Sequence, residues 1–260
     1  MKIIITKDYE QMSRVSADLV AQQIKNKPDT VLGLPTGSTP IGLYKHLRQK
    51  FYHGLDFSKV VTFNLDEYWS IDPKHPQSYK YFMNKHLLSH VNIPSKNTHI
   101  PDGKAENPLA ECHKYDQALA ASDGIDLMIV GVGVNGHIGF NEPSDSLEYG
   151  TNVVELSEKT RAVNSKKFFD GNIEKVPTKA ISMGIASIMK SKKVLLMANG
   201  KSKHHAVSTA MTQGITTRNP MSIICTHPRL IIILDSEAWG QGVHHLPPGT
   251  RVKRTWTENP

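Results

Sequence analysis

Short apolar runs that alternate with longer segments of helical spacing are the strongest constraint this chain places on its own fold. Lys2 to Thr6 is apolar and β-branched, and Tyr9 to Lys25 then carries Met12, Val15, Leu19, Val20 and Ile24 on a helical period. The alternation continues with a strand over Thr30 to Leu34, a helix over Ile41 to Phe51 with Pro40 at its first turn, and a strand over Lys59 to Asn64. A helix over Pro76 to Leu88, another over Asn107 to Ala121 and a buried strand over Ile125 to Val130 follow. In the second half the pattern predicts strands at Val153 to Leu156, Lys193 to Met197, Met221 to Cys225 and Leu230 to Leu234. It places helices at Ile185 to Lys190 and Ser202 to Met211. Strands separated by crossover helices require a mostly parallel sheet covered on both faces. The expectation is an α/β fold with one domain over residues 1–236 and a polar, proline-bearing tail over 237–260, flexible or partner-facing.

Composition excludes several alternatives. The longest aliphatic runs, such as Leu230 to Leu234, are strand-sized and too short to span a bilayer, and the start lacks the apolar region of a secretory signal. A soluble, cytoplasmic protein with no membrane association is expected. Cys112 and Cys225 stand far apart and fit reduced thiols rather than a disulfide framework or a zinc site. The net charge of +7 suits an anionic partner. Its basic residues are scattered, without an aromatic–basic stripe, so a nucleic-acid partner is not indicated.

Ligands of open α/β sheets lie beyond the carboxyl ends of the strands, which directs attention to the segments after Leu34, Asn64 and Val130. The first, Gly33-Leu34-Pro35-Thr36-Gly37-Ser38-Thr39-Pro40, is a hydroxyl-rich turn into a helix, suited to a phosphate or to simple capping, and lacks Walker spacing. The second, Phe63-Asn64-Leu65-Asp66-Glu67-Tyr68, sets two carboxylates side by side. In extended chain they point to opposite sides, so one can face a ligand while the other pairs elsewhere. A carboxylate in a water-poor pocket acquires a raised pKa and the capacity to act as a base. The third runs from Gly131 to Pro143. It contains GxGxxG, but Gly139 and Pro143 disrupt the helix that a dinucleotide fingerprint needs. Its glycines, Gly131 first, allow close backbone approach to a ligand. His137 supplies a proton shuttle that Asn135 and Glu142 can orient. Two basic stretches, Lys159 to Phe169 and Gly200 to His205, can supply phosphate-pairing lysines, although solvated lysine is the default reading.

Taken together, LGLPTGSTP at 32–40, FNLDEY at 63–68, HPQSY at 75–79 and GHIGFNEP at 136–143 resemble the glucosamine-6-phosphate deaminase family. KTRAVNS at 159–165, VPTKAISMG at 176–184 and His227-Pro228 are weaker matches in the same order. The resemblance implies a Rossmann-like domain of the deaminase and isomerase type, with no metal and no cofactor. It implies conversion of glucosamine 6-phosphate to fructose 6-phosphate and ammonia. It gives Asp66 the role of the base between C2 and C1, His137 that of the ring-opening acid/base, and Glu142 that of its orienting carboxylate. Thr36, Gly37, Ser38 and Thr39 match the phosphate-end loop, and Lys203 a phosphate-binding lysine. Asn135 stands where the family often has aspartate. Lys166 and Lys167 stand where it shows one arginine, and the count selects either lysine according to the end from which it runs. A homo-oligomer is compatible with the resemblance. Galactosamine 6-phosphate as substrate, lactone hydrolysis on the same fold, and a sugar-phosphate-binding regulator without turnover are the competing readings.

Overall fold

Alternating side chains along each strand divide the interior into two apolar layers. Ile3 and Ile5, Met128 and Val130, and Leu196 and Ala198 enter one layer, while Ile4, Leu127, Ile129, Leu195 and Met197 enter the other. A computed structural model describes residues 1–242 and 246–255; the side chains of Lys159, Lys167 and Phe168 lie outside the described set. Its first half holds β1 (Lys2–Thr6), α1 (Tyr9–Asn26), β2 (Val31–Leu34), α2 (Ile41–Tyr52), β3 (Val61–Asn64), β4 (Asp66–Tyr68), α3 (Tyr79–His86), β5 (Thr98–His99), α4 (Pro108–Ala121) and β6 (Leu127–Gly131). Its second half holds β7 (Asn152–Glu155), α5 (Glu158–Phe168), β8 (Lys179–Ser182), α6 (Ile185–Met189), β9 (Val194–Ala198), α7 (His204–Thr212), α8 (Met221–Ile224), β10 (Leu230–Asp235), α9 (Ser236–Trp239) and β11 (Arg251–Arg254).

Among the described residues eight strands form one sheet in the order β11-β1-β10-β9-β6-β2-β3-β5, with every pairing parallel. Residues of α1, α2 and α3 cover one face, and residues of α4, α6, α7, α8 and α9 cover the other. The α/β class and the helices on both faces are therefore as the sequence predicts. Strand order reverses between β2 and β6, which opens a crevice at their carboxyl ends. A small antiparallel sheet, β4-β8-β7, stands beside this crevice. Beneath it Tyr68, Phe140, Phe169 and Ala180 form a third apolar cluster.

Local chemistry sets the boundaries of the helices. Asp8 accepts from the N–H of Gln11 at 2.8 Å to start α1, and Asn107 accepts from Leu109 and Ala110 to start α4 ahead of Pro108. Ser78 caps α3 and accepts from Tyr81 N–H at 3.0 Å, so this helix starts at Tyr79 rather than Pro76. The segment 221–225, predicted as a closing strand, is helical. Pro220 already has helical dihedrals (φ −55°, ψ −27°), and the Cys225 N–H closes a turn on Met221 at 3.0 Å. The segment after 236 is not wholly a polar end. Ala238 and Trp239 are buried in α9, and β11 pairs in parallel with β1. Cys112 and Cys225 are free thiols. Among the described residues no helix is long and apolar enough to cross a membrane.

Candidate active site

Four strand ends meet around a cavity of about 210 Å³. β2 leads into Thr36, Gly37, Ser38 and Thr39, β3 into Asp66, β6 into Gly131 and His137, and β9 into Lys203; all eight residues line the cavity. Three of these ends are the places that the sequence marks. The fourth, after β9, carries a lysine that the sequence names without its strand-end position.

The hydroxyl-rich turn precedes α2, and among the described residues the N–H groups of Gly37, Ser38 and Thr39 are not engaged elsewhere. Gly37 has φ +90°, a conformation that favours glycine, and an added Cβ would meet nothing within 4 Å. Thr39 Oγ1 donates to Asn199 Oδ1 at 2.8 Å and ties this turn to the end of β9. Gly200 N–H donates to both carboxylate oxygens of Asp235 at 3.0 Å and anchors the turn that leads to Lys203. Amides at a helix start, hydroxyls and a lysine make this end of the cavity suited to a phosphate.

Asp66 and Glu67 point apart, as extended chain requires. Glu67 accepts from the N–H groups of Tyr68, Tyr79 and Lys80 at 2.8, 2.9 and 2.9 Å, which braces the start of α3. Burial nevertheless raises its carboxyl to about 7 against those three donors. Asp66 turns into the cavity, and among the described residues no hydrogen bond reaches its carboxylate. Burial, then the charge of Glu67, raises its carboxyl to about 8. Tyr79 lines the cavity beside it and stacks on Phe140, with ring centroids 6.1 Å apart.

The loop after β6 carries the third element. Gly133 N–H donates to the His137 carbonyl at 2.9 Å and closes a tight turn. A Cβ on Gly133 would lie 2.3 Å from the His137 ring, so glycine permits the ring to pack there. His137 Nδ1 lies 3.1 Å from Glu142 Oε1. Among the described residues Asn135 makes no hydrogen bond to the ring. Its Nδ2 donates to Glu142 Oε2 at 2.7 Å, and its Oδ1 accepts the His137 backbone N–H at 3.3 Å. Burial pushes the Glu142 carboxyl up, but interaction with His137 and donation from Asn135 and Thr160 outweigh it and hold the carboxyl below its usual range. Gly139 (φ +60°) brings this loop against Asp66: a Cβ there would sit 3.2 Å from Asp66 Oδ2.

The structure gathers some predicted residues and separates others. Asn135 and Glu142 act behind His137 rather than on the cavity wall. Lys166 is exposed and outside the cavity lining, and the Lys167 side chain lies outside the described residues. The stretch 159–169 instead forms most of α5, and Thr160, Val163 and Asn164 line the cavity at helical spacing. Sequence reasoning missed these three together with Tyr79 and Phe140. The i, i+3, i+4 pattern after Ser157 was the available signal for α5. Arg161 and His227 brace backbone: Arg161 Nη2 donates to the Ile173 carbonyl at 2.9 Å, and His227 Nε2 lies 2.8 Å from the Ser191 carbonyl. Among the described residues no group of three or more His, Cys, Asp or Glu is placed to hold a metal ion.

Comparison with known proteins gives consistent matches. The profile of the family described as glucosamine-6-phosphate isomerases/6-phosphogluconolactonase matches residues 7–232. A glucosamine-6-phosphate deaminase of Thermoanaerobacter pseudethanolicus is 52% identical over 239 residues, covering 92% of this chain and 94% of the relative. One from Halothermothrix orenii is 47% identical, covering 92% and 98%. Among solved structures, a monomeric glucosamine-6-phosphate deaminase superimposes with a TM-score of 0.88 at 39% identity, covering 92% of this chain and 98% of its own. A 6-phosphogluconolactonase from Trypanosoma cruzi shares the fold, with a TM-score of 0.75 at 18% identity over 91% and 95% of the two chains.

Proposed function

The chain belongs to the glucosamine-6-phosphate isomerase/6-phosphogluconolactonase family, and we propose that it is the enzyme that converts glucosamine 6-phosphate and water to fructose 6-phosphate and ammonia. The observation that carries this reading is the placing of a buried carboxyl, Asp66, and of His137, backed by Glu142, on the wall of one cavity whose other end suits a phosphate. Lactone hydrolysis needs one base to activate water and no proton transfer between neighbouring carbons, whereas this cavity sets two separate acid/base groups, Asp66 and His137, on its wall.

Each group then has a role. The 36–39 turn and Lys203 hold the phosphate. His137, oriented by Glu142, protonates the ring oxygen as the anomeric hydroxyl loses its proton, and the sugar opens. Asp66 removes the proton from C2 and returns it to C1 through an enediol-type intermediate. C2 becomes an imine, water adds, and ammonia leaves. The cationic substrate amine favours the ionised form of Asp66 when it binds, which offsets the burial that raises its pKa. A phosphorylated sugar as substrate supports a cytoplasmic location.

Coupled detection of ammonia and fructose 6-phosphate tests this function. Glucosamine 6-phosphate is expected to yield both products in equal amounts. Hydrolysis of the phosphogluconolactone without ammonia release would overturn the reading, and a faster rate with galactosamine 6-phosphate would change the substrate.

A further inference from the structure

The carboxylate that faces His137 is held from a helix that the function above has not used. Thr160 Oγ1, in the first turn of α5, donates to Glu142 Oε1 at 3.0 Å, the same oxygen that lies 3.1 Å from His137 Nδ1. Asn135 donates to the other oxygen at 2.7 Å. Thr160 is itself polarised: Ser157, the N-cap of α5, donates its hydroxyl to Thr160 Oγ1 at 3.1 Å and accepts the Thr160 N–H at 3.2 Å. A directed chain therefore runs from the cap of the helix through Thr160 to Glu142, and linked hydrogen bonds strengthen one another. A second contact, Asn164 Nδ2 to Tyr68 Oη at 2.8 Å, fastens the same helix to β4 without touching Glu142.

We propose that Thr160 is a positioning residue for ring opening: its hydroxyl docks α5 onto Glu142 and sets that carboxylate, and through it His137, in working orientation. α5 also walls the cavity through Thr160, Val163 and Asn164, so the contact couples its seating to the proton-transfer pair. Of the described side chains acting on Glu142, His137 is the ionisable one, while Asn135 and Thr160 are neutral donors that favour the charged carboxylate.

The proposal rests on the deaminase reading, and the test separates the two. Ammonia release is measured against pH for the native chain and for Thr160→Val, Thr160→Ala, Thr160→Ser and Asn164→Leu, each checked for folding by circular dichroism. A hydrogen bond to a charged group implies a roughly ten- to hundredfold loss of kcat in the two variants without a hydroxyl, with KM within about threefold. Losing a donor raises the Glu142 pKa, so the acidic limb of kcat moves to higher pH. Thr160→Ser restores kcat to within about threefold of the native value, and Asn164→Leu raises KM without moving the limb. The proposal is overturned if the variants lacking the hydroxyl keep native kcat and limb, if serine does not rescue, or if Asn164→Leu moves the limb equally. Absence of ammonia release from the native chain would instead defeat the deaminase reading.

Discussion

Asp66→Asn keeps the size of the side chain and removes its ionisable proton, which makes the cost of the buried carboxyl measurable. Burial, then the Glu67 charge, raises this group from 3.8 to about 8. Below about pH 4 it is protonated in both the folded and the unfolded chain, and ionisation costs the fold nothing. Between about pH 4 and pH 8 the unfolded chain releases a proton that the folded chain retains, so native stability falls by about 1.4 kcal/mol per pH unit as pH rises. Above about pH 8 the loss is constant. Asparagine does not ionise and carries no such cost. The variant should match the native protein near pH 4 and exceed it by up to about 4 kcal/mol at pH 7. Urea unfolding followed by intrinsic fluorescence at several pH values across this window measures the difference, and the ammonia assay run in parallel should show turnover abolished. A difference that stays flat with pH, or an asparagine variant less stable than the native chain at about pH 8, would refute the reasoning, because it would mean that the ionised carboxylate is solvated or paired.

Three further substitutions test the site's geometry. Gly133→Ala places a methyl 2.3 Å from the His137 ring and forces the imidazole to move; a displacement of about 1 Å predicts a kcat loss of about a hundredfold, read from steady-state kinetics. Asn135→Asp puts a second carboxylate where the amide now donates to Glu142 at 2.7 Å. Like charge raises the pKa of the pair, so the acidic limb of kcat should rise by about one pH unit or more, and an unmoved limb would count against the contact. Lys166→Ala should leave KM within about twofold, since this exposed side chain lies off the cavity wall.

The legible parts of the molecule were those in which a few neighbouring residues decide the outcome. Strand period, helix period and strand-end position located β2, β3 and β6 and the loops that follow them, because each signal is complete within some ten residues. The run Met221 to Cys225 failed for the converse reason. Four apolar residues out of five suit a buried strand or a buried turn of helix equally, and only Pro220, already helical, separates them. β4 and β8 are too short to show alternation, and their pairing of Asp66 with Ser182 is set by the fold. β11 was not legible because it is exposed along its whole length and owes its place to backbone pairing with β1, which composition does not record.

The same distinction explains which site residues could be found. Asp66, His137 and Glu142 announce themselves through unusual local chemistry, two adjacent carboxylates and a histidine among glycines. Thr160 is an ordinary residue in an ordinary helix, and its importance comes from a contact with Glu142, eighteen positions away in sequence. Asn135 shows that even a correctly located residue can carry a contact the sequence does not record. It was expected to hold His137 by a hydrogen bond, and its Oδ1 accepts the His137 backbone N–H at 3.3 Å, but its Nδ2 also donates to the carboxylate behind the ring. The consequence is chemical: a neutral amide against Glu142 keeps one negative charge, not two, beside His137. No second acid then stands beside the Glu142 carboxylate, and this is why Asn135→Asp, a change of one atom, tests the electrostatics of the site while leaving its shape in place.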